Sequence, residues 1–175
     1  MDEIAKIADE KQNENDSFRA FLKSKPGDTV DHLVHTINEA ITPQIDCTQC
    51  GRCCSILMIN ITEKETIDLS DHLQVPVEAF KEKYVEVSQM GQMVMNKMPC
   101  AFLGGKSCTI YEQRFTECRE FPHLHKPNFT GRLFGTLMHY AMCPIIFNVV
   151  EELKLQSGFG QAISYKDEAH LEACS

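Results

Sequence analysis

Several cysteines of this chain fall at spacings that suit metal ligands. Four of them lie in one short run, Cys47-Thr-Gln-Cys50-Gly-Arg-Cys53-Cys54. Two residues between successive cysteines let the backbone curl so that both sulfurs reach one ion, and Gly51 can supply the positive φ that such a turn often needs. We therefore expect three sulfurs of this loop to face one centre. Because neighbouring side chains diverge, Cys54 is expected to reach a second centre or to link two.

Further cysteines bring the predicted ligand set to eight. The set is Cys47, Cys50, Cys53, Cys54, Cys100, Cys108, Cys118 and Cys143. Eight thiolates suit two four-coordinate sites, either two tetrahedral zinc ions or one cubane cluster plus one metal ion. The CxxCxxC run with a remote Cys143-Pro144 is like the ligands of ferredoxin-type [4Fe–4S] clusters, but CxxC pairs are as common around structural zinc. The spacing leaves both metals open.

Disulfides would explain these cysteines poorly. The chain begins Met1-Asp2-Glu3-Ile4 and continues polar and acidic to Asp16, unlike a secretion signal. We therefore expect a cytoplasmic protein, whose thiols stay reduced. A single buried cysteine often behaves as a small hydrophobic residue, but a group at such short spacings indicates metal binding. The odd thiol, Cys174, is predicted to be unliganded.

Basic residues gather around Cys118. Arg114 and Arg119 could offset the charge of a thiolate-rich centre or donate hydrogen bonds to sulfur, and a solvated or structural charge is the alternative for each. His123 and His125 would lie on the same side of an extended segment, where they could replace or supplement a cysteine ligand.

The composition argues against two other classes of partner. The formal net charge is −8, and the chain lacks the clustered Lys and Arg that bind a phosphate backbone. Residues 133–150 contain no charged side chain and reach the lower length limit of a membrane span. They include Gly135, His139 and Pro144, however, so we predict a buried helix. Metal ions are the expected partners, and a protein partner stays open.

Hydrophobic spacing predicts helices before and after the first cysteines. The first 45 residues should form two helices separated by Pro26-Gly27-Asp28. A capping box at Thr62-Glu63-Lys64-Glu65 should begin a helix, and Pro76 should open another. A last helix is expected from Pro144 to about Leu155.

Two segments predict β structure. Residues 55–61 are short and apolar, as in a buried strand. Residues 85–98 nearly alternate, with a break at Met90-Gly91 that indicates a hairpin, and their methionines are interpreted as core filler in preference to copper ligands. The predicted fold is a small, mostly helical α+β domain, stapled by metal, with a short β-hairpin or sheet.

We divide the chain into three parts on these patterns. Residues 1–45 form a helical pair that packs on the core, residues 46–157 form the cysteine-cluster metal-binding domain, and residues 158–175 form a weakly ordered tail. A partner-binding arm is the alternative for the helical pair. Because the ligand loops at 47–54 and 99–122 contain few large apolar runs of their own, metal binding should be coupled to folding.

The cysteine segments together resemble the CxxCxxCC family, described as zinc- or iron-chelating proteins. The matching motifs are Cys47-x-x-Cys50-Gly51-x-Cys53-Cys54, Pro99-Cys100-x-Phe102-Leu103, Cys108-Thr109-Ile110-Tyr111-Glu112-x-Arg114 and Cys118-Arg119-x-Phe121-Pro122. Phe115 departs from the family's usual Arg-Pro, which should change a turn and no ligand. The resemblance implies a cytoplasmic bacterial protein whose metal ligands are the eight cysteines.

Three functions follow from these observations. A metal-binding protein of unknown precise role is preferred, and an iron–sulfur redox or electron-transfer module is the alternative. The family also includes flagellin lysine N-methylases, whose cysteine-rich region is distantly similar and is linked to an iron–sulfur cluster. A methyltransferase-like enzyme is disfavoured, because this chain has no glycine-rich strand-to-helix turn for a nucleotide. No catalytic constellation is evident beyond the metal site.

Overall fold

The computed structural model describes residues 2–160 of the chain. These residues form two compact units. Residues 2–45 and 122–160 make up the terminal unit, and residues 46–121 make up the central unit. The three-part domain division stays a prediction, because compact units reflect contacts and not independent folding. Most of the predicted tail, with Cys174, lies outside the described residues.

Within residues 2–160 the elements are mostly helical. In chain order they are α1 (Asp2–Glu10), α2 (Gln12–Lys23), α3 (Gly27–Ile41), α4 (Arg52–Ile56), α5 (Glu63–His72), α6 (Val77–Tyr84), β1 (Val85–Val87), β2 (Met93–Met95), β3 (Leu103–Gly104), β4 (Ser107–Cys108), α7 (Thr116–Glu120), α8 (Phe129–Met138) and α9 (Pro144–Gln156). The strands form two antiparallel pairs, β1 with β2 and β3 with β4. The predicted small, mostly helical α+β fold class is confirmed.

Elements with strong local signals appear where the sequence predicts them. The capping box is present, since the Thr62 hydroxyl accepts from the Glu65 N–H and the Glu65 carboxylate accepts from the Thr62 N–H. The predicted hairpin is β1 and β2, with Val85 opposite Met95 and a left-handed Gly91 in the turn. These signals come from residues that are close together in the sequence. Tertiary packing therefore did not change the local conformations that they favour.

The strand predicted at residues 55–61 is wrong in its first half and present in its second. Arg52–Ile56 is a short helix. Residues 59–61 lie antiparallel to β2: Asn60 forms a bridge with Val94, the Ile61 N–H donates to the Met93 carbonyl at 3.0 Å, and the Met95 N–H donates to the Ile59 carbonyl at 3.1 Å. The left-handed backbone of Gly51, with φ 64°, turns the chain into the helix, and the Ser55 hydroxyl donates to the Gly51 carbonyl at 2.9 Å. A helical turn therefore satisfies the backbone that an extended run would have left for sheet partners.

Two helix predictions needed changes at their boundaries. Three helices, not two, occupy the first 45 residues, because Lys11 leaves helical geometry with φ −95° and ψ 10°. The uncharged run at 133–150 is divided between α8 and α9, and α9 begins at Pro144 as expected. No helix in the described part of the chain is long and apolar enough to cross a bilayer.

The terminal unit packs α3 against α8 and α9, and α2 against α8. Its core is apolar, and fully buried members include Phe18, Leu22, Val34, Leu133, Ile146, Val149 and Leu153. One charged side chain is buried among them: Lys154 is 5% exposed, with its Nζ 2.6 Å from Glu14 and 2.7 Å from Glu151. The Tyr140 hydroxyl also donates to Glu151, at 2.6 Å, and Lys11 pairs with the same carboxylate. This network supplies hydrogen-bond acceptors and negative charge to the ammonium group of Lys154. Without them, burial of that charge would destabilise the fold.

The pKa of Glu151 lies below its ordinary value. Burial acts to raise it, but hydrogen bonds donated by Lys11, Lys154 and Tyr140 outweigh burial and lower it. A carboxyl whose folded-state pKa is lowered stabilises the fold above its unfolded pKa, and this contribution is lost as the pH falls through the folded pKa.

We predict that Glu151→Gln lowers the free energy of unfolding at pH 7 by about 1–3 kcal/mol, because it leaves buried donors without their charged acceptor. The gap between the variant and the wild-type protein should begin to shrink as the pH falls through the ordinary Glu pKa of about 4.3, and it should be smallest below the lowered folded-state pKa, where both carry a neutral side chain. Urea unfolding at several pH values measures both effects. Glu152→Gln, on the same helix, is the control, and equal pH profiles for the two variants would contradict the prediction.

The central unit has a separate aromatic core. Its buried residues are Ile61, Leu69, Phe80, Met95, Phe102, Ile110 and Phe115. The Phe80 ring lies 5.0 Å from Tyr84 and 6.4 Å from Phe102, measured between centroids. Cysteines 100, 108 and 118 are partly buried against this cluster. The apolar core therefore holds the backbone that positions three of the predicted ligands.

Removal of the Phe80 ring should disrupt the central unit. Phe80 is 0% exposed, and Phe80→Ala is expected to lower the free energy of unfolding by about 3–5 kcal/mol through lost burial and a cavity. Val87 is 62% exposed on β1, so Val87→Ala should change stability by no more than about 0.5 kcal/mol. Urea titration, monitored by circular dichroism, gives the free energy of unfolding of both variants. Similar losses would show that the core around Phe80 does not stabilise the unit.

Candidate metal centre

Seven of the eight predicted ligands lie in the central unit, and Cys143 lies in the terminal unit. The seven come from four stretches of chain: the 3-10 turn Cys47–Gln49 and the residue after it, helix α4, the β3–β4 hairpin with the loop before it, and helix α7. Each is a free thiol, and Cys47 is exposed while the other six are half-buried.

Short hydrogen bonds shape the first cysteine loop. The Asp46 carboxylate accepts from the N–H and the hydroxyl of Thr48, at 2.9 and 2.6 Å, which holds the pKa of Asp46 below its ordinary value. The Cys50 N–H then donates to the Cys47 carbonyl at 3.2 Å. These bonds close the loop around its first two cysteines before the chain enters α4.

Gly51 meets two requirements at once. Its φ of 64° confirms the predicted positive value, which costs a residue with a side chain about 1–2 kcal/mol. In addition, a Cβ at this position would lie 2.7 Å from the Lys106 carbonyl oxygen, which the sequence did not reveal. The first cysteine loop therefore packs directly on the backbone of the β3–β4 hairpin.

Hydrogen bonds join the remaining segments of the central unit to this loop. The Ser107 hydroxyl donates to the Thr48 carbonyl at 2.9 Å, and the Cys100 N–H donates to the Cys54 carbonyl at 2.7 Å. Within the hairpin, Cys108 pairs with Leu103. Backbone contacts thus bring cysteines distant in sequence into one region. Ser107 was missed at the sequence level, although a hydroxyl beside a turn is a common partner for backbone groups.

The thiols of this region act electrostatically on one another. The Sγ atoms of Cys53 and Cys54 are 3.9 Å apart, and a hydrogen bond between them lowers the pKa of Cys53 and raises that of Cys54. Burial, followed by the nearby thiolates of Cys100, Cys53 and Cys108, raises the pKa of Cys118 to about 12. For these sulfurs, ionising one makes it harder to ionise the next.

Cys47 and Cys100 show the same behaviour. The pKa of each is raised, first by burial and then by neighbouring thiolates, among which Cys53 contributes to both. Cys50 acts on Cys47 and Cys108 acts on Cys100. All seven thiols of the central unit therefore belong to one electrostatic network.

The chemistry of this donor set fits zinc or iron, which thiolates bind well. A bound cation would relieve the mutual repulsion just described. The side chains do not form a preformed metal site, because within residues 2–160 no three His, Cys, Asp or Glu side chains are placed to hold one ion. The partition of ligands between centres stays a prediction.

The family model CxxCxxCC matches residues 46–139, more than half of the 175-residue chain. The chain belongs to the CxxCxxCC family. This family is described as a putative zinc- or iron-chelating domain. The resemblance stated from the motifs is therefore confirmed, and metal chelation is supported in general. No curated protein and no solved structure matches the chain.

Some predicted site residues of this CxxCxxCC protein belong to the terminal unit. Cys143 is buried there at the start of α9. His123 has a left-handed backbone, and its carbonyl accepts from Arg132 at 3.0 Å. His125 lies two residues further on in the same unit. Ligation by Cys143, His123 or His125 stays a prediction.

We predict that Gly51→Ala destabilises the protein more than Gly105→Ala does. Both glycines have a positive φ, near 65°, but a Cβ on Gly105 meets nothing within 4 Å, whereas one on Gly51 meets a carbonyl oxygen. Strain alone should cost about 1–2 kcal/mol at Gly105, and overpacking should add about 1–3 kcal/mol at Gly51. The free energy of unfolding in urea tests the difference, and equal losses would show that the close approach to Lys106 does not matter.

Proposed function

We propose that this protein binds zinc or iron as a resident metal centre held by cysteine thiolates. The proposed ligands in the central unit are Cys47, Cys50, Cys53, Cys54, Cys100, Cys108 and Cys118, and Cys143 is the proposed eighth. The observation that supports this most strongly is the electrostatic network of seven thiols from four stretches of one small unit.

The free energy of that network favours a cation. Thiols near one another resist ionisation, as the raised pKa values of Cys47, Cys100 and Cys118 indicate. A divalent ion supplies the missing positive charge and replaces the protons, so its binding both ionises the sulfurs and joins their segments. A purely apolar role would not favour gathering seven thiols in one small unit.

The metal decides what the centre does. Zinc has no redox chemistry and would cross-link the loops of the central unit, whereas an iron–sulfur cluster would supply electron transfer. In either case the thiols must stay reduced, so we infer a cytoplasmic location. The protein's own contribution is to hold the cysteine-bearing segments together through the Gly51–Lys106 contact and the bonds of Ser107 and Cys100.

We predict that protein purified without oxygen contains zinc or iron at one or two centres per chain. Elemental analysis gives the metals, and an assay for acid-labile sulfide separates an iron–sulfur cluster from bound ions. Chelation should lower the unfolding temperature, because metal binding is coupled to folding.

Single cysteine variants identify the ligands. Cys53→Ser and Cys118→Ser should lower the metal content, whereas Cys174→Ser, the control, should leave it unchanged. Cys143→Ser distinguishes eight ligands from seven. A wild-type protein that neither retains nor takes up zinc or iron after anaerobic reconstitution would refute the proposal.

A further inference from the structure

The central unit contains a cavity that, within the described residues, none of the proposed metal ligands lines. Its volume is about 540 Å³, within the range of small-molecule sites. One wall consists of residues in 60–69, which include the first turns of α5, and the other of residues in 112–119, which run into α7. The Glu65 carboxylate joins the walls, since it accepts from the Thr116 N–H at 2.7 Å and from the Thr62 hydroxyl at 2.8 Å.

Two arginines lie in the wall that runs into α7. Arg114 is fixed by the Tyr111 ring, whose centroid lies 3.9 Å from its Cζ atom. Arg119 is fixed by its Nε, which donates to the Arg114 carbonyl at 2.7 Å. The sequence showed only that both stand near Cys118, whereas the structure places both in one wall of this cavity. A ring face and a carbonyl orient the two guanidiniums, but neither contact supplies a full negative charge.

The chemistry of an arginine pair favours an anionic group. A planar guanidinium donates two parallel hydrogen bonds to a carboxylate or to a phosphate. Because both guanidiniums are already held in place, less side-chain freedom is lost when such a group binds. The cavity therefore has one wall prepared for an oxyanion.

The other charges of the lining select among anionic ligands. Four carboxylates line the cavity, against three cations, and they belong to Glu65, Asp68, Glu112 and Glu117. A phosphate monoester carries nearly two negative charges at pH 7, so these carboxylates would repel it more than they repel a ligand carboxylate, which carries one. The arginines thus favour a carboxylate, and the excess of acidic residues favours a ligand that is neutral overall.

Asp68 offers a partner for the positive group of such a ligand. It lies on α5, in the wall opposite the arginines. Its present partner is Lys64, at 2.5 Å, and these side chains are 59% and 82% exposed. Exposed ion pairs of this kind stabilise a protein little. A ligand ammonium can therefore replace Lys64 at this carboxylate without a large loss of stability.

We infer that this cavity binds a small zwitterion of the amino acid or short-peptide class, with its carboxylate on Arg114 and Arg119 and its ammonium at Asp68. The inference goes beyond the proposed metal centre and does not depend on it. The arginines recognise the ligand carboxylate, and Asp68 distinguishes a zwitterion from a simple anion.

Free L-alanine and tri-L-alanine are the probes, because their small side chains leave recognition to the two charged groups. Calorimetric titration of the full-length protein, purified without oxygen, gives the affinities. At least one probe should bind detectably at about 10 mM, and the pair distinguishes a free amino acid from a peptide. The N-acetylated and C-amidated forms of the probe that binds lack the ammonium and the carboxylate, respectively. Each should bind about tenfold more weakly.

Variants of the lining test which residues recognise each group. Arg114→Gln and Arg119→Gln should each weaken binding about tenfold. Lys83→Gln is the matched control, because Lys83 lies over the Tyr84 ring at 4.9 Å in the same unit and does not line the cavity. It makes the same change in net charge, and its affinity should equal that of the wild-type protein. Asp68→Asn should weaken binding of the zwitterion but not of its N-acetylated form.

Failure of both probes to bind, or equal affinities of the free and blocked forms, would overturn the inference and leave the proposed metal centre standing. Equal affinities of Arg119→Gln and Lys83→Gln would overturn it as well. Circular dichroism and elemental analysis check the fold and the metal content of each variant. If the arginine variants do not fold, Asp68→Asn decides, and equal losses for the zwitterion and its N-acetylated form would refute the inference.

Discussion

Repulsion among thiolates is the constraint on which the central unit depends. Its apolar core and backbone hydrogen bonds bring seven cysteines into one region, where burial, followed by neighbouring thiolates, raises the pKa of Cys47, Cys100 and Cys118. Either such thiols stay protonated, or a bound cation balances the charge of the thiolates. Metal chelation, the general property of the CxxCxxCC family to which the chain belongs, resolves the conflict by exchanging protons for a metal ion.

The two units stabilise themselves by different means. The central unit uses a small apolar cluster with cysteines at its edge, and such a core is modest for its length. The terminal unit has a larger apolar core and a buried lysine whose charge is balanced by two glutamates. A metal would therefore contribute most where the apolar core is smallest, which is how metals commonly stabilise small domains.

Local signals decided which elements the sequence could predict. The capping box at Thr62, the hairpin around Gly91 and the helix at Pro144 depend on interactions within a few residues, and the structure contains all three. The start of the apolar run at 55–61 was misassigned because short apolar segments fit a strand or a helix equally well. There the conformation of Gly51 and its neighbours, and not hydrophobicity, directed the chain into α4.

The sequence by itself determined the number and spacing of the cysteines, the positive φ at Gly51 and the membership of the family. Only the tertiary structure decided which of the eight cysteines share a unit. Seven do, whereas Cys143 belongs to the terminal unit. It also placed the Lys106 carbonyl against Gly51. The physical reason is that spacing along a chain limits how near two groups can come, while their actual approach depends on how distant segments pack and hydrogen-bond.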